Sequence, residues 1–118
     1  MVKLPNSYLE ALALSMSLVD FERGSRIPDH HTFHLERMNL LLHALGDPQS
    51  AIPSVHIAGT KGKGSTSAMI TSALTASGYK TGLITSPHLH SVTERIRHGL
   101  EPITKPEFVS LVRDLWPA

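Results

Sequence analysis

At 118 residues, with 41% hydrophobic and 18% charged side chains, the chain suffices for one domain with a core of its own and is too apolar for intrinsic disorder. A formal net charge of +1 gives no general attraction to nucleic acid or to an acidic membrane, so any positive potential must be local. The absence of cysteine excludes disulfides and thiolate metal sites.

The opening stretch MVKLPNSYLEAL lacks the apolar core of a signal peptide, and no apolar run approaches a bilayer span, so a cytoplasmic protein is expected. Ser7 and Glu10 stand at capping-box spacing and open the first predicted helix, with Leu9, Leu12, Ala13 and Met16 on its apolar face. Gly24 and Pro28 make 20–32 a loop. A second helix is predicted after Thr32, with Leu35, Met38, Leu41, Leu42 and Leu45 on one stripe and Gly46 and Pro48 as its stop. The segment 54–58, SVHIA, is short, apolar and β-prone, which predicts a buried strand. A glycine-rich turn leads into a helix over 65–78, with Met69, Ile70, Ala73 and Leu74 inward and Gly78 as its stop, and 81–86, TGLITS, predicts another strand. Strand, helix and strand with short joins make a right-handed βαβ unit with parallel strands. ERIR and LEPIT flank His98-Gly99 and predict a small hairpin. Thr104, Pro106 and Glu107 supply a cap, a first-turn proline and a box partner for a last helix through Phe108, Leu111, Val112 and Leu115.

The fold class expected is α/β: an incomplete parallel sheet, with 1–50 a helical lead-in of two helices and 51–118 the βαβ unit, hairpin and closing helix. The chain ends at DLWPA, just after a helix and where a further strand would begin. The expectation is therefore an N-terminal piece of a larger protein.

The stretch HIAGTKGKGST, 56–66, sets three glycines and two lysines at the strand–helix junction. The first N–H groups of a helix have no partner within it, and the dipole there is positive, so such a junction binds anions. Gly59, Gly62 and Gly64 allow close backbone approach, Lys63 adds a full charge, and Ser65 and Thr66 offer hydroxyls able to hold Mg²⁺. The usual phosphate-loop spacing fails twice, because Ile57 stands where a glycine is required and Gly64 where a hydroxyl residue is required. The placement after a predicted strand and before a predicted helix still favours a nucleotide phosphate over a plain glycine-rich turn.

HIAGTKGKGST, GYKTGLITSPHL and ERI together resemble the folylpolyglutamate synthase and dihydrofolate synthase family of the Mur ligase superfamily, as does FHLERMNLLLHALGDP before them. That family carries a shortened loop, Gly-Thr-Asn/Lys-Gly-Lys-Gly-Ser, which accounts for both departures from the usual spacing. The resemblance implies a Mur-ligase-type ATPase domain and an ATP-dependent ligase that joins glutamate to dihydropteroate or a folate through an acyl phosphate. It implies ATP and Mg²⁺ as cofactors, with Gly59, Thr60, Lys61, Gly62, Lys63, Gly64, Ser65 and Thr66 around the phosphates and Ser86, with Ser65, at the metal. Lys61 either adds charge there or faces solvent. Pro87, His88, Leu89, Glu94 and Arg95 fall in the substrate region the resemblance implies. Taken from the residues alone, Ser86-Pro87 is equally an ordinary strand-ending turn, and Glu94 with Arg95 a surface ion pair.

The family also needs a later acidic residue, a histidine and a lysine for its metal sites, and a C-terminal domain, none of which this chain supplies. A ligase portion inactive by itself, monomeric when full length and engaged in folate and one-carbon metabolism, is the first expectation. A free-standing nucleotide-binding or interaction module without catalysis is the alternative. A nucleic-acid role for Lys61, Lys63, Arg95 and Arg97 lacks aromatic platforms. His30, His31 and His34 match no established metal spacing and read as loop histidines.

Overall fold

Helix α1, Tyr8–Met16, begins where the sequence places it: Ser7 is extended and its hydroxyl accepts the N–H of Glu10 at 3.2 Å. The Glu10 carboxylate reaches back to the amide of Asn6 at 2.7 Å, one residue upstream of the usual box partner. The computed structural model describes residues 4–18 and 35–117. They fall into two units, 55–108, and 1–54 with 109–118.

In the second of these units the inward face of α1 is not the expected one. Ala11 is fully buried and Tyr8, Leu12 and Ser15 are half-buried, whereas Leu9, Ala13 and Met16 are exposed. YLEALALSM is apolar on more than one side, so its period alone does not select the face. Helix α2, Leu35–Ala44, stops as predicted. Gly46 (φ 79°) and Asp47 (φ 54°) turn left-handed, and their amides close on His43 and Leu42 carbonyls at 3.0 and 2.8 Å. Its leucine stripe has the expected spacing, but Leu35, Met38 and Leu41 are exposed and only Leu42 and Leu45 are half-buried. A short 3₁₀ turn, Pro48–Ala51, follows. The Arg113 guanidinium donates to the Asn6 side-chain carbonyl at 3.2 Å, tying the last helix to the entry of α1.

In the unit 55–108, the segment 54–58 forms no strand, and Val55 is 68% exposed. β-Propensity supplies a side-chain fit to a pleated surface but no partner, and a strand exists only through its ladder. Helix α3, Lys63–Ala76, ends in a Schellman turn. Gly78 (φ 88°) donates to Thr75 at 3.0 Å and Tyr79 to Leu74 at 3.1 Å, which fulfils the predicted stop. Thr71 is buried and Ser67, Ala68 and Ile70 are half-buried, but Met69, Ala73 and Leu74 are exposed. Thr75 and Thr81 share a hydroxyl hydrogen bond of 2.7 Å that fixes the turn from α3 into the sheet.

The sheet is antiparallel, in the order β1 (Gly82–Ile84), β2 (Ile96–His98) and β3 (Glu101–Pro102). Leu83 pairs with Arg97 across β1 and β2, and His98 with Glu101 across β2 and β3. Among the described residues β1 pairs with the hairpin that follows it, and the expected parallel pairing with 54–58 is not seen. The predicted hairpin is present, turning through Gly99 (φ 59°) and Leu100. Helix α4, Lys105–Leu115, has the full box, with Glu107 accepting the Thr104 N–H at 2.6 Å and donating its own to the Thr104 hydroxyl at 3.3 Å. Phe108 and Val112, one turn apart, are buried, whereas Leu111 and Leu115 are exposed. Among the described residues no helix is long and apolar enough to cross a membrane.

Candidate functional site

The turn into α3 is built by two glycines in conformations that L side chains rarely adopt, Gly59 at φ 157° and Gly62 at φ 74°. Gly62 is the N-cap and has no side chain to offer, and the first helical bond runs from Thr66 N–H to its carbonyl at 2.9 Å. The amides of Lys63, Gly64 and Ser65 therefore open the helix without a side-chain cap. A Cβ at Gly62 or Gly64 would meet nothing within 4 Å. The Lys63 ammonium folds back and donates to the Gly59 carbonyl at 2.6 Å, spanning the turn it follows. Thr60, Lys61, Ser65 and Thr66 are exposed around it. Amides without a side-chain cap, a positive helix end and an adjacent cation are the chemistry that suits an anion.

A second cluster forms after β1. Ser86-Pro87 is a cis peptide, and 92–95, Val92–Arg95, is a 3₁₀ turn, not hairpin strand. Glu94 and Arg95 do not form the surface ion pair that their adjacency suggested. The Glu94 carboxylate instead accepts three consecutive amides, Leu89 at 3.0 Å, His90 at 2.9 Å and Ser91 at 2.7 Å. Arg95 donates Nε–H to His88 Nδ1 at 2.8 Å, so the neutral imidazole carries its proton on Nε2. The Arg95 carbonyl takes the Thr85 N–H at 3.0 Å, and Arg97 donates to the Glu94 carbonyl at 2.8 Å. The segment 85–91 is thus held at its start, middle and end, while Leu89 projects with 84% of its surface exposed.

The amide donors at Leu89, then Ser91, and after them His90 hold the Glu94 carboxyl well below its ordinary 4.5, at about 2. A depressed carboxylate stabilises its contacts fully above its ordinary value and loses them as pH falls through the lowered one. The amide proton shifts of Leu89, His90 and Ser91 are accordingly expected to titrate together between about 4.5 and about 2, with the midpoint at the lower end. Independent midpoints near 4.5 would contradict the three-amide arrangement.

The structure places 59–66 at the turn into α3, and 86–89 with Glu94 and Arg95 in the cluster after β1. The part of Glu94 in shaping that loop was missed in the sequence, although Ser91-Val-Thr-Glu94 is itself a capping box and its signal. Among the described residues no three His, Cys, Asp or Glu gather as a metal site. His30, His31 and His34 lie outside the described residues.

No protein-family model matches the chain. It is 43% identical over 83 residues to the dihydrofolate synthase/folylpolyglutamate synthase of Mycobacterium tuberculosis, which covers 70% of this chain and 17% of that protein. It is 40% identical over 106 residues to the folylpolyglutamate synthase of Lacticaseibacillus casei, covering 90% of this chain and 23% of that one. Its fold matches the crystal structure of Thermotoga maritima folylpolyglutamate synthase with a TM-score of 0.78 and 34% identity, over 93% of this chain and 23% of that chain. It also matches Mycobacterium tuberculosis folylpolyglutamate synthase complexed with ADP, with a TM-score of 0.74 and 36% identity, over 93% and 23%. The chain spans about a fifth of the length of these relatives.

Proposed function

Along most of its length this chain belongs with the folylpolyglutamate and dihydrofolate synthases, and from that premise we propose that it is the nucleotide-binding portion of an ATP-dependent ligase that adds glutamate to dihydropteroate or a reduced folate. The observation that carries the reading is the uncapped, glycine-turned start of α3 with Lys63 beside it. The amides of 60–65 cradle the β- and γ-phosphates, and Lys63 leaves the Gly59 carbonyl to neutralise them. Phosphoryl transfer is largely a matter of positioning and charge neutralisation, which this turn supplies. In the proposed reaction the γ-phosphoryl passes to a carboxylate oxygen of the substrate and ADP leaves. The glutamate amine then attacks the carbonyl carbon, the C–N bond forms as inorganic phosphate departs, and the amine gives up a proton.

Ser65 and Ser86 carry exposed hydroxyls that make no side-chain hydrogen bond among the described residues, and neutral hard oxygens of this kind suit Mg²⁺. Without a carboxylate cluster among the described residues, they would hold the ion jointly with nucleotide oxygens. Bound there, Mg²⁺ supplies further neutralisation of phosphate charge. Pro87, His88 and Leu89 border the pterin end of the substrate. The proposal includes a parallel sheet of Mur-ligase type that takes in 54–58, a helical lead-in over 1–50, and a monomeric, cytoplasmic enzyme with no nucleic-acid partner.

By itself the 118-residue chain binds nucleotide and makes no amide. Titration with AMPPCP and Mg²⁺ is expected to move the amide resonances of 60–65, and incubation with ATP, dihydropteroate and glutamate to release no ADP. Resonance changes that bypass 60–65 would refute the phosphate site, and steady turnover would refute the inactivity of the chain alone.

A further inference from the structure

A capping box satisfies one upstream amide with its glutamate. Glu94 satisfies three in a row, at 3.0, 2.9 and 2.7 Å, and two of them belong to loop residues that a cap of the short 92–95 turn does not require. Three successive N–H groups converging on one anion fix the backbone of 89–91 in a concave turn, because each bond constrains a different peptide plane. Arg95 adds two restraints upstream, its carbonyl on Thr85 N–H and its guanidinium on the His88 ring. Arg97 braces the frame by bonding the Glu94 carbonyl at 2.8 Å and the Leu100 carbonyl at 3.2 Å, which ties it to the hairpin turn. His90 is the titratable neighbour, 3.9 Å from the same carboxylate and largely exposed. Between the restrained ends lie Ser86 and Pro87, whose side chains make no hydrogen bond among the described residues and face outward.

We propose that Glu94 is a positioning residue: by gathering the amides of Leu89, His90 and Ser91 on its carboxylate it holds the segment after β1 in the shape that presents Ser86, Pro87 and the exposed Leu89 to the pterin-bearing substrate. This rests on the reading of 86–89 as substrate region. The role asks for an acceptor-only side chain. Glutamine offers one carbonyl oxygen and turns an N–H₂ toward N–H donors, and aspartate keeps the charge but is a methylene too short to reach all three.

The test uses the whole chain and its E94Q and E94D variants, with dihydropteroate and AMPPCP as separate probes. In E94Q, hydrogen exchange at 89–91 is expected to rise about tenfold or more, and dihydropteroate to bind about tenfold more weakly. The AMPPCP response at 60–65 is expected to stay as in the parent, the unfolding midpoint to fall with the weakened amide bonds, and E94D to fall between the two. Unchanged exchange at 89–91 in E94Q would overturn the clamp. Equal dihydropteroate affinity in parent and E94Q would overturn positioning while leaving the substrate region intact. Failure of the parent to respond to dihydropteroate at 86–90 would instead overturn the substrate-region reading and the ligand half of this proposal with it. Loss spread to the AMPPCP response at 60–65 would show a merely structural role and overturn positioning as well.

Discussion

Lys63→Ala is expected to weaken AMPPCP binding by about 10- to 100-fold, the range for losing hydrogen bonds to a charged ligand group. The side chain stands at the first position of α3, and its ammonium already reaches over the turn to the Gly59 carbonyl at 2.6 Å. A short swing would exchange that carbonyl for a phosphate oxygen. The same exposure makes the folded state indifferent to the change, since lysine and alanine are both good helix formers and the lost bond is at the surface. The urea midpoint should therefore stay put. Lys61→Ala is the control, because Lys61 is exposed and precedes the left-handed Gly62, outside the helix start. It should cost about threefold or less, as surface charges do. Lys63→Arg should fall between, keeping charge but replacing a compact ammonium with a planar fork. Calorimetric titration decides the matter: equal losses for the two alanine variants would mean a diffuse positive field and no phosphate lysine.

What the sequence disclosed and what it hid divide along a physical line. Ser7, Thr104 with Glu107, Gly46, Gly78 and the His98-Gly99 turn all did what their spacing predicted, because caps and turns are decided by a few neighbouring residues. The glycine turn into α3 was legible for the same reason, since only glycine readily takes φ 74° at the cap. Helix faces were not legible in α1 and α3. Neither helix has charges distributed so as to mark an outer side, so Met69 could be read inward although it is 64% exposed. The segment 54–58 forms no strand among the described residues, because pairing is a property of two segments and its β-branched residues speak for only one. Glu94 was hidden by a different route. Its neighbour Arg95 invited an ion-pair reading, whereas Ser91 three residues upstream was the informative partner.

Phe108→Ala is expected to produce the largest loss of stability of any single truncation among the described residues, about 3–5 kcal/mol from lost transfer energy and the cavity left behind. Phe108 is 6% exposed and is the largest buried apolar side chain among the described residues, which also bury Ala11, Leu83, Ile103 and Val112. With so few buried apolar groups among the described residues, no single loss is diluted, and ordinary domains hold only about 5–15 kcal/mol in total. The residue also sits in the first turn of α4, where the Thr104–Glu107 box fixes the helix start and Phe108 N–H closes on the Thr104 carbonyl at 3.0 Å. The cap orients the ring and the ring anchors the cap, so removing the ring should fray the turn as well. Phe108→Leu retains most of the volume and should cost under about 1.5 kcal/mol if the site repacks. Ser110→Ala, exposed on the same helix, should stay within about 0.5 kcal/mol of the parent. Urea unfolding followed by circular dichroism distinguishes the three. A Phe108→Ala midpoint no lower than that of Ser110→Ala would show that this ring is not what holds the start of α4 to the rest of 55–108.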